Sequence, residues 1–242
     1  MCSHYQALKD QTRLKRFFDA HPAEPEPKSD IWPGYAGSFL RQHPHAGVGN
    51  EAVPVTEHLP GLFGLVPHWA QDTKITQHTF NCRSETAAEK PSFRDAWRKS
   101  QHCVIPVEAI YEPDWRTGNA IATRIVRADG APFGIAGLWS SWNSDKGDII
   151  YSFTMLTINA NAHPLMQNFH KSTDEKRMVV VLPPERYQDW LRAKPDQSMA
   201  FLQPFPANEF LISNDLQPRP ESNAGSAART AQLRPADAGS AS

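Results

Sequence analysis

The second residue of the chain is a cysteine. Residues this small allow ready removal of the initiator Met. Removal would leave Cys2 with a free α-amine and a thiol two carbons away, a 1,2-aminothiol. An α-amine has a pKa of roughly 7.7–8.0 against about 10.4 for a lysine, so near neutral pH much more of it is uncharged. Such an amine attacks an aldehyde to form a Schiff base. The neighbouring thiol can then close a five-membered thiazolidine, which resists hydrolysis better than an imine. The competing reading is that Cys2 is merely a residue near a frayed end. The other two cysteines, Cys82 and Cys103, form no CxxC pair with it and read as small buried hydrophobes. Ten histidines are scattered without ligand spacing, so no metal and no cofactor is expected.

The elements that must hold Cys2 belong to a chain of 242 residues with 40% hydrophobic and 21% charged residues. That is enough to bury a sizeable core. The formal charge of −1 excludes a generally polybasic protein but not a local basic groove. No run is long and apolar enough for a membrane span, and the first residues lack the apolar centre of a secretory signal. A cytosolic monomer is expected.

Residues 5–20 are predicted as a helix with Leu8, Leu14, Phe17 and Phe18 on one face. Residues 31–60, rich in Gly, Pro and His, read as irregular chain with one short strand at 52–55. Strands are predicted at 102–106, 120–126, 133–139, 149–158 and 177–182, and short helices at 92–99 and 184–193. Strands in succession without βαβ alternation give an α+β fold. Its expected form is a mainly antiparallel, curved sheet or partly closed β-barrel with peripheral helices. Residues 2–213 form the one domain. Residues 214–242, poor in large apolar side chains, are expected to be a disordered tail.

Several segments then stand in a telling order after Cys2. They are FGLVPHWA at 63–70, NCRSET at 81–86, KPSFR at 90–94, HCVIPVEAIYEP at 102–113, NAHPLMQNFH at 161–170 and RMVVVL at 177–182. Together they resemble the SOS-response-associated peptidase family, whose members process abasic sites and crosslink to single-stranded DNA. The resemblance covers residues 2–182. It implies that Cys2 is the nucleophile, that Asn81 orients it, and that Glu112 and His170 move protons. It also implies phosphate contacts from Arg83 and Arg177. Such proton transfers are each worth roughly 10²–10⁴-fold. Glu108, four residues before Glu112 in the same segment, is outside the matched position.

The chain departs from the family around the DNA-reading rim. His4 stands where the family commonly has an Arg on phosphate, and Phe63 where it has a Trp. Pro113 replaces the Trp of a Tyr-Glu-Trp triplet. Residues 171–176 intervene between His170 and Arg177. Phe63 and Trp69 are candidates for stacking on bases, against the plainer reading that they belong to the core. The function implied is covalent capture of abasic sites in single-stranded DNA as a thiazolidine. The alternatives are a self-processing cysteine peptidase built on Cys2, His170 and Asn81, and a non-catalytic single-strand binder.

Overall fold

A computed structural model describes residues 2–47 and 53–213. The expected tail at 214–242 and part of the expected strand at 52–55 lie outside the described residues. Among the described residues twelve strands follow one another: β1 (His4–Ala7), β2 (Asp30–Ile31), β3 (Ala36–Gln42), β4 (Thr56–Phe63), β5 (Asn81–Arg83) and β6 (His102–Asp114). After them come β7 (Ile121–Arg127), β8 (Phe133–Asn143), β9 (Ile149–Asn159), β10 (Arg177–Val179), β11 (Val181–Leu182) and β12 (Phe210–Ser213). The helices are short: α1 (Gln11–Phe18), α2 (Thr76–Thr79), α3 (Arg94–Arg98) and α4 (Tyr187–Arg192). None of the described helices is long and apolar enough to cross a membrane.

Five strands close on themselves. β3 pairs β4, β4 pairs β9, β9 pairs β8, β8 pairs β6, and β6 returns to β3 through Leu40 opposite Val104. All these contacts are antiparallel except β4–β9. This is the expected α+β fold, a partly closed barrel with extra strands and few helices. Its core includes Phe39, Phe63 and Phe153, each fully buried, with the last two rings stacked at 5.6 Å. Truncating one such ring to Ala costs about 3–5 kcal/mol.

The long strand β6 serves two structures. Its first half, His102–Val107, pairs with β8 in the barrel. Its second half carries β1 on one edge, with His4 opposite Tyr111, and β7 on the other, with Glu112 opposite Thr123. The start of the chain is thereby zipped against β6 as far as Tyr111, the neighbour of Glu112.

Two sequence expectations need correction. Tyr5, Gln6 and Ala7 are strand, and the helix begins only at Gln11. Asp10 caps it by accepting from the Arg13 N–H at 2.9 Å, and Asp19 ends it in the left-handed region at φ 50°. Residues 31–60 are not mostly irregular: they supply β3 and most of β4, a paired antiparallel hairpin.

Candidate active site

Cys2 precedes β1 and is fully buried. Its thiol donates to the carbonyl oxygen of His4 at 3.2 Å, and its sulfur also takes a bond from the backbone of Tyr111. Burial, with the nearby Glu112 charge second, pushes the thiol well above its ordinary range. At neutral pH it is a thiol and not a thiolate.

Asn81 opens β5, which runs parallel to β9 with Asn81 opposite Met155. That pairing aims the Asn81 side chain at the chain start, where Nδ2 donates to the Cys2 carbonyl oxygen at 2.8 Å. Its Oδ1 is buried and accepts no hydrogen bond among the described residues.

Glu112 sits on the second half of β6 and is 1% exposed. Burial in low dielectric disfavours its charge and pushes its pKa up to about 7. His170 Nε2 lies 3.3 Å from Glu112 Oε2 and 3.4 Å from the Arg177 carbonyl oxygen. Burial lowers the His170 pKa to about 4. The contact is therefore a neutral imidazole beside a carboxyl that titrates near neutrality, rather than a fixed ion pair.

Unusual backbone holds His170 there. Its φ of 65° is left-handed, which for a residue with a Cβ costs roughly 1–2 kcal/mol. Its N–H donates to the Pro113 carbonyl oxygen at 2.8 Å, one residue beyond Glu112. Lys176 Nζ donates to the carbonyl oxygens of Phe169, His170 and Lys171 at 2.9, 3.1 and 2.7 Å. Residues 171–176 thus close back on the turn that presents His170. Beside it opens a cavity of about 600 Å3 whose lining includes Trp115, Arg116, Gln167, His170 and Lys171. Lys171 Nζ stands 4.9 Å over the Trp115 ring. Neither Trp115 nor the two cations was singled out from sequence; their place follows only from the fold.

The structure thus gathers Cys2, Asn81, Glu112 and His170, which lie far apart in sequence. It treats the expected rim differently. Arg83 is half exposed and pairs with Glu175 at 2.8 Å. Trp69 is 48% exposed, with its indole N–H on the Pro91 carbonyl oxygen at 3.3 Å. Phe63, expected as a stacking candidate, lies fully buried in the core and has no face for a base. His4 is also buried, sandwiched between Trp32 and Tyr111 at ring distances of 3.9 and 4.1 Å. It braces the chain start instead of facing a phosphate.

Arg177 is corrected as well. It is 2% exposed and gripped by Glu85 through both terminal nitrogens, at 2.9 and 2.8 Å. Glu175 and the Thr157 carbonyl oxygen take further bonds at 2.8 and 2.7 Å. Glu85 belongs to the NCRSET segment, so that motif supplies a structural acid as well as Asn81 and Arg83. Glu108 is bound to Arg13 at 2.9 Å, apart from the site. No group of three or more potential metal-ligating side chains occurs among the described residues.

Residues 1–214 match the family described as SOS response associated peptidase (SRAP). A Bacillus subtilis protein, abasic site processing protein YoqW, is 37% identical over 153 residues, which is 61% of this chain and 64% of that protein. The match therefore spans just under two thirds of that relative's length. Abasic site processing protein HMCES of Xenopus tropicalis is 26% identical over 122 residues, covering 41% of this chain and 36% of that one. A crystal structure of a Bordetella bronchiseptica protein superposes with a TM-score of 0.79 at 47% identity, covering 88% and 98% of the two chains. One from Bacteroides thetaiotaomicron shares the fold at 21% identity, with a TM-score of 0.70 over 87% of this chain and 90% of that one.

Proposed function

The chain belongs to the SOS response associated peptidase family, and from that premise we propose that it captures abasic sites in single-stranded DNA through Cys2. The observation that carries this reading is the burial of Cys2 against Glu112, with its carbonyl held by Asn81 and Glu112 in contact with His170.

The chemistry requires loss of Met1. The opened deoxyribose presents an aldehyde, and the α-amine of Cys2 adds to it to give a carbinolamine. Loss of water then yields the imine. The thiol adds across the C=N bond, its proton passing to nitrogen, and the thiazolidine closes. Ring opening needs a proton removed from the anomeric hydroxyl and one given to the ring oxygen. Dehydration of the carbinolamine needs a proton on the departing hydroxyl. A carboxyl with a pKa of about 7 can give or take a proton at neutral pH. Neutral His170 can accept from Glu112 or from the sugar. Asn81 fixes the Cys2 carbonyl, and its Oδ1 can accept an N–H of the released amine without adding charge.

The thiol's raised pKa fits this order of events, in which the amine attacks first and the thiol follows. Cys2 is not the resting thiolate of a Cys–His ion pair. The cavity beside His170, with Lys171 over Trp115, offers cationic and aromatic surface of the kind a single strand uses.

The test uses protein whose N-terminus has been verified by intact mass. It is incubated with a single-stranded oligonucleotide carrying one abasic site, then run on a denaturing gel. The expected result is a heat-stable shifted band with the processed wild type and none with Cys2→Ala. Absence of a band with the processed protein overturns the proposal. A band that persists in Glu112→Gln and His170→Ala at unchanged rate would remove those two residues from it.

A further inference from the structure

The carboxylate of Glu175 occupies an anion position. Its Oε2 takes a bond from Arg83 Nη1 at 2.8 Å. Its Oε1 takes bonds from Arg177 Nη1 at 2.8 Å and Asn159 Nδ2 at 2.9 Å. These three donors come from β5, β10 and the end of β9, while Glu175 comes from the residues that intervene between His170 and Arg177. Hydrogen bonds from Asn159 and Arg177 hold the carboxyl below its usual range, so it carries its charge throughout the neutral region.

The charge balance shows what this occupancy does. Arg177 is already matched by Glu85 in a bidentate pair. Arg83 has Glu175 as its one ionic partner among the described residues. A DNA phosphate approaching Arg83 meets a carboxylate of the same sign on the guanidinium it must use. Two anions can share that cation only at a repulsive cost; otherwise one must leave. Glu175 can leave: its side chain is 34% exposed, and Arg83 is 51% exposed.

We propose that Glu175 is an intramolecular stand-in for a DNA phosphate at Arg83, and that a bound single strand displaces it. This rests on the reading that the chain binds single-stranded DNA. The displaced carboxylate sets affinity: every binding event must break the Arg83–Glu175 pair. It also lowers salt dependence, because a phosphate that replaces a carboxylate yields less net neutralisation than one meeting a free cation. An exposed ion pair made of charge-assisted hydrogen bonds contributes modestly, and the cost of breaking it falls on every binding event. Its removal should therefore tighten binding about two- to tenfold.

The experiment measures binding of a fluorescent oligothymidylate without abasic sites, by anisotropy, across a salt series. It compares the wild-type protein with Glu175→Gln, Glu175→Ala, Arg83→Ala/Glu175→Gln and Asp145→Asn. Asp145 is exposed on the turn between β8 and β9 and provides the same change in net charge elsewhere. Both Glu175 variants should bind about two- to tenfold more tightly. Their log–log salt slope should steepen by roughly 0.7, one phosphate's worth on a single strand. Asp145→Asn should show little of this gain, and the double variant none. A Glu175 gain no larger than that of Asp145→Asn overturns the proposal, as does a gain that survives loss of Arg83. If wild type and variants all fail to bind at low salt, the single-strand reading falls and the proposal falls with it. If wild type binds and crosslinks as expected but the Glu175 variants match it, the proposal alone fails.

Discussion

Glu112 Oε2 and His170 Nε2 stand 3.3 Å apart in a buried pocket, one pushed up to about 7 and the other down to about 4. Both therefore favour their neutral forms where an isolated Glu and His would favour charge at mildly acidic pH. A strand and a left-handed turn, joined by the His170 N–H on the Pro113 carbonyl, enforce the contact.

This pair predicts a bell-shaped pH profile for crosslinking. The rate should rise as the α-amine loses its proton, near roughly pH 7.7–8. It should fall as the Glu112 carboxyl, with a pKa of about 7, ionises. Glu112→Gln should slow the reaction by about 10²-fold or more and leave a profile that only rises with pH. Rapid-quench gels across pH 5–9 would check both limbs.

The same residues make a linked stability prediction with opposite signs. Glu112 holds its proton in the folded chain up to about pH 7 against an ordinary 4.5. Its contribution is present below 4.5 and is lost as pH rises through 7. His170 is lowered from 6.5 to about 4, so its contribution is present above 6.5 and is lost as pH falls through 4. Relative to Glu112→Gln, the wild type should lose stability on going from pH 5 to 8, on the order of 1–3 kcal/mol. Urea midpoints of the two proteins at matched pH supply the measurement. A constant difference between them contradicts the shift.

Asn81→Ala should slow crosslinking by about 10- to 100-fold, since the Cys2 carbonyl loses its donor at 2.8 Å and the amine loses its positioning. Global stability should drop by only about 1–2 kcal/mol. The readout that separates positioning from folding is single-turnover rate at saturating oligonucleotide, set beside the thermal midpoint.

Arg177→Met should act mainly on stability. Removing one member of a buried ion network typically costs about 3–5 kcal/mol. Glu85 and Glu175 are partly solvated, at 47% and 34% side-chain exposure, which reduces this to about 1–3 kcal/mol. Denaturant unfolding should show that loss, while salt dependence of DNA binding should change far less than in Arg83→Ala.

Gly64 has a φ of 116°, and a Cβ there would come within 2.5 Å of Thr76 Cα. Its N–H bonds to the Phe153 carbonyl oxygen at 2.8 Å, directly after β4. Gly64→Ala should cost about 3 kcal/mol or more, lowering the thermal midpoint by roughly 6–12 °C. A change below about 2 °C in differential scanning calorimetry contradicts this close approach.

The sequence made the strongly β-branched strands legible, because their patterning is local. It missed β1, since Tyr5–Ala7 carries no strand signal of its own and is made a strand by pairing with β6, about a hundred residues away. It missed β3 because that strand is buried from Gly37 to Arg41 and so lacks the alternation of a half-exposed strand. In the site, the ordered motifs marked residues that the fold does assemble. They could not tell an arginine that faces solvent from one that is buried, because Arg83 and Arg177 differ in the carboxylates around them and not in type. Nor could they reveal Lys176 as the clamp on the His170 turn, since its partners are backbone carbonyls.

β6 runs unbroken from a stave of the barrel to the carboxyl of Glu112. A register shift lies on the way, against β1, where Gln6 faces Ala109 and Ala7 faces Val107. Any distortion that lets Glu112 swing away must work at that shift or strain the ladder against β8, so the chemistry leans on the whole fold. Slow, highly protected amide exchange at Tyr111 and Glu112, matching that of Ile105, would be the signature of such shared fate.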